Sequence, residues 1–431
     1  MTFGHSSLYR RIALLSSATI VVGTAWILRD AVLVRVYGTS AELDHFMAVA
    51  IVATVITTLI ASPLASTLVP EYMRRRETSA EEASSFYWGL CSLGIGLSLS
   101  IGIAATIALA ASGLMSLSWL TTDLYRLGAY GLGIGVIAAA GAFGRLAAGV
   151  MNAHNRLFLQ PVLLALPLIG PIAAALLIPE LGEKGLFQGF LLGSLLQCAI
   201  ASFAVSREIP IRASALLQSF RLLRPSFLLE NAHLGTATTL MAISELALNS
   251  AAAAIGPGAL SQLAISQRLP QLFQTFAGGV IATASYPAIA DKFIKGDFRA
   301  GSRLTIVLAT IATLGGVVAA GIISLFADPL TTLLAGKQMP TEGRRVIASM
   351  LLITAWQIPF AIAGTIMSRA VTAGNSSRLL SLGALLYLVA VSAAGATALG
   401  SHNVLWAAGA RVIGYALSAV MALIWVLRRC R

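Results

Sequence analysis

Residues 29–44 read RDAVLVRVYGTSAELD, and the position of this stretch between two long apolar runs decides the fold. The run from Ile12 to Leu28 before it and the run 45–70 after it each suit a bilayer crossing, which takes about 20 residues of helix. Arg29, Asp30 and Arg35 therefore fall at or inside the first crossing. At about 100° per residue their side chains point in three directions, so no rotation of an ideal helix keeps all three off lipid. Such a helix requires protein or water around it. Snorkelling of the long side chains to the interface is the alternative reading.

Outward from this stretch the same composition continues. Of 431 residues, 57% are hydrophobic and only 11% charged, and the mean hydropathy is +0.85. Apolar runs recur at 12–37, 45–70, 84–112, 124–151, 158–178, 185–206, 226–255, 260–288, 303–327, 346–371, 379–399 and 403–427. This pattern predicts an all-α polytopic membrane protein with about twelve transmembrane helices. Barrel strands would instead be short and alternating. The first run follows Arg10 and Arg11 but has no small-residue cleavage site, so a removed signal peptide is not expected.

The formal charge of +12 does not point to nucleic acid, because the basic residues alternate between connections rather than forming one patch. Nineteen lie in one set of connections, including Arg74, Arg75, Arg76, Arg156, Arg207, Lys292 and Arg428. Five lie in the other: Arg126, Lys184, Lys337, Arg344 and Arg345. By the positive-inside rule both termini are cytoplasmic and the span count is even. The remaining five, Arg29, Arg35, Arg145, Arg268 and Arg411, fall in or at the edges of spans. Cys91 and Cys198 lie in apolar spans and Cys430 is terminal, so neither a disulfide nor a thiolate metal site is expected. The five histidines are scattered, no GxxxxGK[ST] loop is present, and the longest outward connection, 328–345, is too short for a catalytic domain. No cofactor and no enzymatic activity are expected.

A basic connection from Arg207 to Pro225, amphipathic enough to lie on a membrane surface, divides the chain into lobes 1–206 and 226–431 of six helices each. The halves repeat weakly. TTLIASPLASTLVPEY around Pro70 matches QTFAGGVIATASYPAI around Pro287 at an offset of 217, pairing Thr58 with Thr275 and Ala65 with Ala282, and a similar offset sets Asp30 beside Glu245. Six spans per half give both halves one orientation, related by an axis along the membrane normal, with a substrate cavity between them.

Several polar residues stand out within the spans. Gln267, Gln271 and Gln274 form a stripe in span eight beside Arg268 and Thr275. Interhelical hydrogen bonding is one reading of the glutamines, at about 1 kcal/mol each, but a charge such as Arg268 costs more in lipid and points to function. Span seven carries Glu230, Asn231 and His233 near one end and Glu245 and Asn249 deeper in. Glu245 can pair with an arginine or bind a coupling cation or proton. Arg145 and Asn152 share a face of span four, and Arg411 sits early in span twelve; both arginines are read as either cavity-lining or packing. Gly185, Gly189 and Gly193 read as a close-packing face, and Pro63, Pro70, Pro287 and Pro359 as bending points.

The run LRDAVLVRVYGTSAELDHF followed by LASTLVPEYMRRR resembles the amino-terminal signature of the MurJ (MviN) lipid II flippases, within the multidrug/oligosaccharidyl-lipid/polysaccharide exporter superfamily. MNAHNRLFLQP after span four and ISQRLPQLFQTFAGGVIATASYPAIADKF across span eight extend the resemblance in order over most of the chain. The resemblance implies two six-helix lobes around a central cationic cavity that opens alternately to either side. It also implies that arginines hold the pyrophosphate of a polyprenyl-linked saccharide. The matching positions are Arg29 and Arg268, and Asp30 and Asp44 match acidic positions of the family. Where the family has a further arginine this chain has Gly23, and where it has a pair in span two this chain has Ile56 and Thr57. Family members commonly have fourteen spans.

Pyrophosphate chemistry agrees with this reading, since unpaired charge cannot be buried in hydrocarbon and arginine offers planar, permanently charged forks. The expected function is flipping of lipid II or a related polysaccharide precursor across a bacterial cytoplasmic membrane, with Arg29, Arg268, Asp30, Asp44, Arg35, Gln271 and Arg145 at the substrate and Glu245 and Asn249 in coupling. Expected partners are the polyprenyl-pyrophosphate glycan, the bilayer and glycan-synthesis enzymes. A cation-coupled small-molecule exporter and a nonenzymatic envelope-assembly scaffold are the alternatives.

Overall fold

A computed structural model describes residues 5–114, 130–154, 156, 159–210, 225–336, 339–374 and 376–430. The amphipathic connection over 211–224 and Arg126 lie outside the described residues, as do the side chains of Glu230, Asn231, His233 and Asn152. Among the described residues every regular element is helical. The helices are α1 (His5–Tyr37), α2 (Ala41–Thr78), α3 (Ala80–Leu114), α4 (Gly131–Ala153), α5 (Leu159–Leu177), α6 (Gly182–Ser206), α7 (Pro225–Ile255) and α8 (Ala259–Phe273), the last followed by a π-helical turn Gln274–Gly279. Next come α9 (Val280–Ile294), α10 (Phe298–Leu325), α11 (Ala327–Ala335), α12 (Thr341–Ala355), α13 (Gln357–Ala373), α14 (Ser377–Ser401) and α15 (Leu405–Cys430).

Nine helical stretches among the described residues are long and apolar enough to span a membrane, and 162–177 is a shorter apolar helix. The expected twelve spans map onto these together with α1 and the divided span eight, so twelve is an approximate count. The protein is a multi-pass membrane protein. Two spans are interrupted. Span eight is broken by the π turn after Pro270, and the apolar stretch 341–373 is broken at Trp356, between α12 and α13.

By packing, the chain divides into two compact units, one of residues 1–44 with 239–431 and one of 45–238. The division thus differs from the sequence division at 207–225, since α1 packs with the C-terminal residues. Its contacts run to α8, α9, α11 and the π turn.

The first unit has a continuous core that includes Ile289, Phe293, Leu351, Ile358, Ile362 and Ile366. Missing side chains permit its closest approaches. A Cβ on Gly316 of α10 would lie 2.9 Å from the Pro359 Cα, and one on Gly278 would lie 3.5 Å from the Ile362 Cα, so the π turn seats against α13. Asp297 caps α10 by accepting from the Ala300 amide at 3.0 Å, after Gly296 has turned the chain at φ +77°.

In the second unit α5 and α6 meet backbone to backbone. A Cβ on Gly189 would lie 2.4 Å from the Gly170 carbonyl oxygen, and one on Gly193 would lie 2.9 Å from that of Leu166, the close packing read from the glycine run. Polar ties fasten helix ends. His45 Nδ1 lies 2.7 Å from Glu183, which also accepts from the Tyr130 hydroxyl at 3.0 Å. Near the C-terminal ends of α2 and α4, the Tyr72 hydroxyl lies 2.9 Å from His154 Nε2, while Arg156 donates to Glu208 at 3.1 Å. Burial and then the Arg76 charge push the His154 imidazole below its ordinary pKa. Glu71 is held below the usual carboxylate value by the hydrogen bond from Arg74, with Arg75 adding to it.

Candidate functional site

The site in the first unit starts with two neighbours on α1. Adjacent residues on a helix diverge by about 100°, but the Arg29 side chain is long enough to fold back, and its Nε donates to Asp30 Oδ1 at 2.7 Å. From α8, Arg268 Nε donates to the other oxygen, Asp30 Oδ2. One carboxylate therefore bridges two guanidiniums, and the three side chains carry a net charge of +1. Arg29 and Asp30 are 1% and 2% exposed. Trp26, one turn before Arg29, lies under both cations, with the Arg29 Cζ 4.4 Å and the Arg268 Cζ 5.0 Å from its ring centroid. Arg268 Nη1 donates to Gln271 Oε1 at 3.2 Å. Among the described residues the buried Arg29 Nη1 has no hydrogen-bond partner.

Helix α8 places Arg268 through its two ends. At the N-terminus, Asp44 Oδ2 accepts from the Gly258 amide at 2.5 Å and Oδ1 from the Ser261 amide at 2.8 Å, satisfying donors that a helix start leaves open. Asp44, read from the sequence as a substrate contact, thus spends both oxygens on the backbone. At the other end Pro270 has no N–H for the Ser266 carbonyl, and the Thr354 hydroxyl of α12 donates to that carbonyl instead, at 2.9 Å. The π turn begins four residues after Pro270, and π bulges are frequent at functional sites.

The remaining sequence candidates separate. The glutamine stripe does not act as one face. Gln271 serves Arg268, while Gln267 is buried with its amide nitrogen unpartnered among the described residues. Arg35 is about 9 Å farther along α1 than Arg29 and donates to the Leu333 carbonyl of α11 at 2.9 Å. Arg145 belongs to the second unit, where its Nη1 donates to Ser62 Oγ at 3.1 Å.

Glu245 of α7 forms a second centre. It pairs with Arg411 of α15 and accepts from the Tyr387 hydroxyl of α14 at 2.9 Å, while the Asn249 amide turns back to the Glu245 backbone carbonyl at 2.7 Å. Tyr387 stacks edge-on against Tyr415 of α15. Trp26, Thr354, Tyr387 and Tyr415 were not singled out by the sequence; the spacing of Trp26, one turn before Arg29, was the available signal.

The positions that depart from the family pattern are filled by packing. A Cβ on Gly23 would lie 2.0 Å from Leu272 Cδ1, so α1 and span eight approach closely there. Ile56 is buried, and the Thr57 hydroxyl is bonded to the carbonyls of Ala53 at 2.8 Å and Ala138 at 3.3 Å.

No protein-family model matches the chain, and no curated protein matches it by sequence. Solved structures do. A lipid II flippase MurJ in an inward closed conformation superposes with a TM-score of 0.76 at 17% identity, over 96% of this chain and 87% of that one. An inward-facing multidrug resistance MATE family transporter gives 0.72 at 15% identity, over 97% and 98%. A MOP superfamily transporter from Pyrococcus furiosus, described as having a binding pocket of reversed polarity, gives 0.67 at 16% identity, over 98% and 96%. The chain resembles the MurJ flippases and the MATE transporters in architecture, and its fold is that of the transporters of the multidrug/oligosaccharidyl-lipid/polysaccharide exporter superfamily.

Proposed function

We propose that the protein moves a polyprenyl-pyrophosphate-linked saccharide, lipid II or a related envelope polysaccharide precursor, from the cytoplasmic to the outer leaflet by alternating access. The observation that carries this reading is the pair of guanidiniums on Asp30, positive overall and with a buried Arg29 N–H group unpartnered among the described residues. A pyrophosphate supplies acceptors for the two forks, and charge-assisted hydrogen bonds of this kind are about twice as strong as neutral ones. In this reading both termini are cytoplasmic, the membrane is the bacterial inner membrane, and glycan-synthesis enzymes supply the cargo. Purified protein in liposomes should translocate a labelled polyprenyl-pyrophosphate saccharide, with Arg29→Ala and Arg268→Ala each reducing the rate at least tenfold. Undiminished transport by both variants refutes the grip.

The likeness to MATE transporters favours a second reading, a cation-coupled exporter of small molecules in which Glu245 and Asn249 take part in coupling. Efflux of cationic dyes that is lost in Glu245→Gln, without saccharide-lipid transport, would select it.

A further inference from the structure

In the second unit, Arg145 lies past the middle of the 23-residue α4, where a charge is costly unless compensated. Three of the other arginines within spans have a carboxylate, Arg29 and Arg268 sharing Asp30 and Arg411 pairing with Glu245, while the exposed Arg35 near the end of α1 donates to the Leu333 carbonyl. Among the described residues no carboxylate pairs with Arg145, whose partner is the neutral Ser62 hydroxyl at 3.1 Å.

The donor set is one-sided. A guanidinium carries five N–H groups and no acceptor, and one of them is used here. Ser62 accepts in that bond and retains its own hydroxyl proton. What the pair has left to offer a ligand is four guanidinium N–H groups and one hydroxyl proton against a single hydroxyl lone pair, a set dominated by donors. Arg145 is only partly buried, so these donors are not sealed off.

The helix behind them is firmly seated. A Cβ on Gly141 would lie 2.9 Å from the Thr57 hydroxyl oxygen of α2, and one on Gly144 would lie 2.4 Å from the Gln197 amide nitrogen of α6. Both neighbours close on α4 at the two glycines, one of them adjacent to Arg145, which limits how far the guanidinium can retreat from Ser62.

We infer that Arg145 and Ser62 form a second anion site, taking a phosphate or carboxylate group through charge-assisted hydrogen bonds. Two sources carry that chemistry, an acidic group of the transported saccharide lipid and the headgroup phosphate of a bilayer phospholipid. The first rests on the flippase reading. The site itself does not.

The test uses the full chain, delipidated in neutral detergent, titrated separately with a short-chain prenyl pyrophosphate and with phosphatidylglycerol in mixed micelles. Arg145→Gln should weaken binding of at least one probe by about tenfold to a hundredfold, the range for hydrogen bonds to a charged group. Arg145→Lys should retain part of the affinity, and Ser62→Ala should lose a few-fold while keeping the charge. Loss for the prenyl pyrophosphate supports the site and places cargo in it. Loss for phosphatidylglycerol alone supports the site and assigns it to a lipid headgroup. Affinities for both probes within twofold of wild type, in Arg145→Gln or, should that variant not fold, in Ser62→Ala, overturn the inference. Arg29→Ala, titrated in parallel, reports on the flippase grip independently.

Discussion

The Thr354 hydroxyl donates to the Ser266 carbonyl at 2.9 Å, filling the place of the amide that Pro270 lacks. This bond fastens α12 to the helix bearing Arg268 just before the π turn. Thr354→Val keeps the shape and removes the donor, leaving a buried carbonyl unsatisfied at a cost of about 1–3 kcal/mol. Thermal unfolding in detergent should register the loss. Transport should fall as well, because Arg268 lies two residues from the released carbonyl.

Asp44→Ala should lose both backbone contacts at the start of α8, leaving two N–H groups without their acceptors at about 1–3 kcal/mol each. Asp44→Asn should keep one of them, because its NH2 would face the second N–H. If Asp44 acts by holding Arg268 in place, thermal stability and transport should fall together, further in Ala than in Asn. Were Asp44 a charged contact to cargo, Asn and Ala would fail alike in the liposome assay.

Asp30→Ala leaves Arg29 and Arg268 buried against one another without a counter-charge. Breaking a buried pair by deleting one partner typically costs about 3–5 kcal/mol, and the midpoint of thermal unfolding should drop accordingly. Glu245→Gln should behave similarly toward Arg411, which is 4% exposed. The double variant Glu245→Gln/Arg411→Met should recover part of the loss, a coupling read by a double-mutant cycle.

His154 supplies a pH dependence. Its folded-state pKa lies below the ordinary 6.5 because of burial and then Arg76, with Arg156 acting in the same direction and Glu208 opposing; Tyr72 contacts its Nε2. A lowered folded pKa means that the unfolded chain binds the proton more readily, so stability rises with pH across the window between the two values. The contribution is therefore present above about pH 6.5 and lost as the pH falls through the folded value. Unfolding temperatures measured from pH 7.5 down to 5 should decline more steeply in wild type than in His154→Gln.

Much of the helical architecture could be read in the sequence because hydropathy reports it directly: a run of twenty apolar residues has few other fates. Arg29, Asp30 and Arg268 were legible for the complementary reason, as charges where solvation is poor. Their joining was not, since Asp30 and Arg268 are 238 positions apart and periodicity carries no information about partners. The same holds for Glu245 and Arg411, separated by 166. Asp44 matched an acidic position in the family, but its role emerged only when the amides of Gly258 and Ser261 were placed opposite it. The π turn was hidden because the pattern around Gln267 and Gln271 runs on at helical spacing, while the extra backbone residue is accommodated by Gly278 and Gly279. The placement of α1 with residues 239–431 likewise follows from packing that chain order does not encode.

Gly23 works as a gauge. Because no side chain stands there, Leu272 can press against α1, and the gap between the first helix and span eight narrows seven residues before the bridging carboxylate. An arginine at that position would add a third cation only by swinging Leu272 aside and widening the clamp. In this chain a single hydrogen atom at residue 23 thus favours two tightly spaced cations over three looser ones.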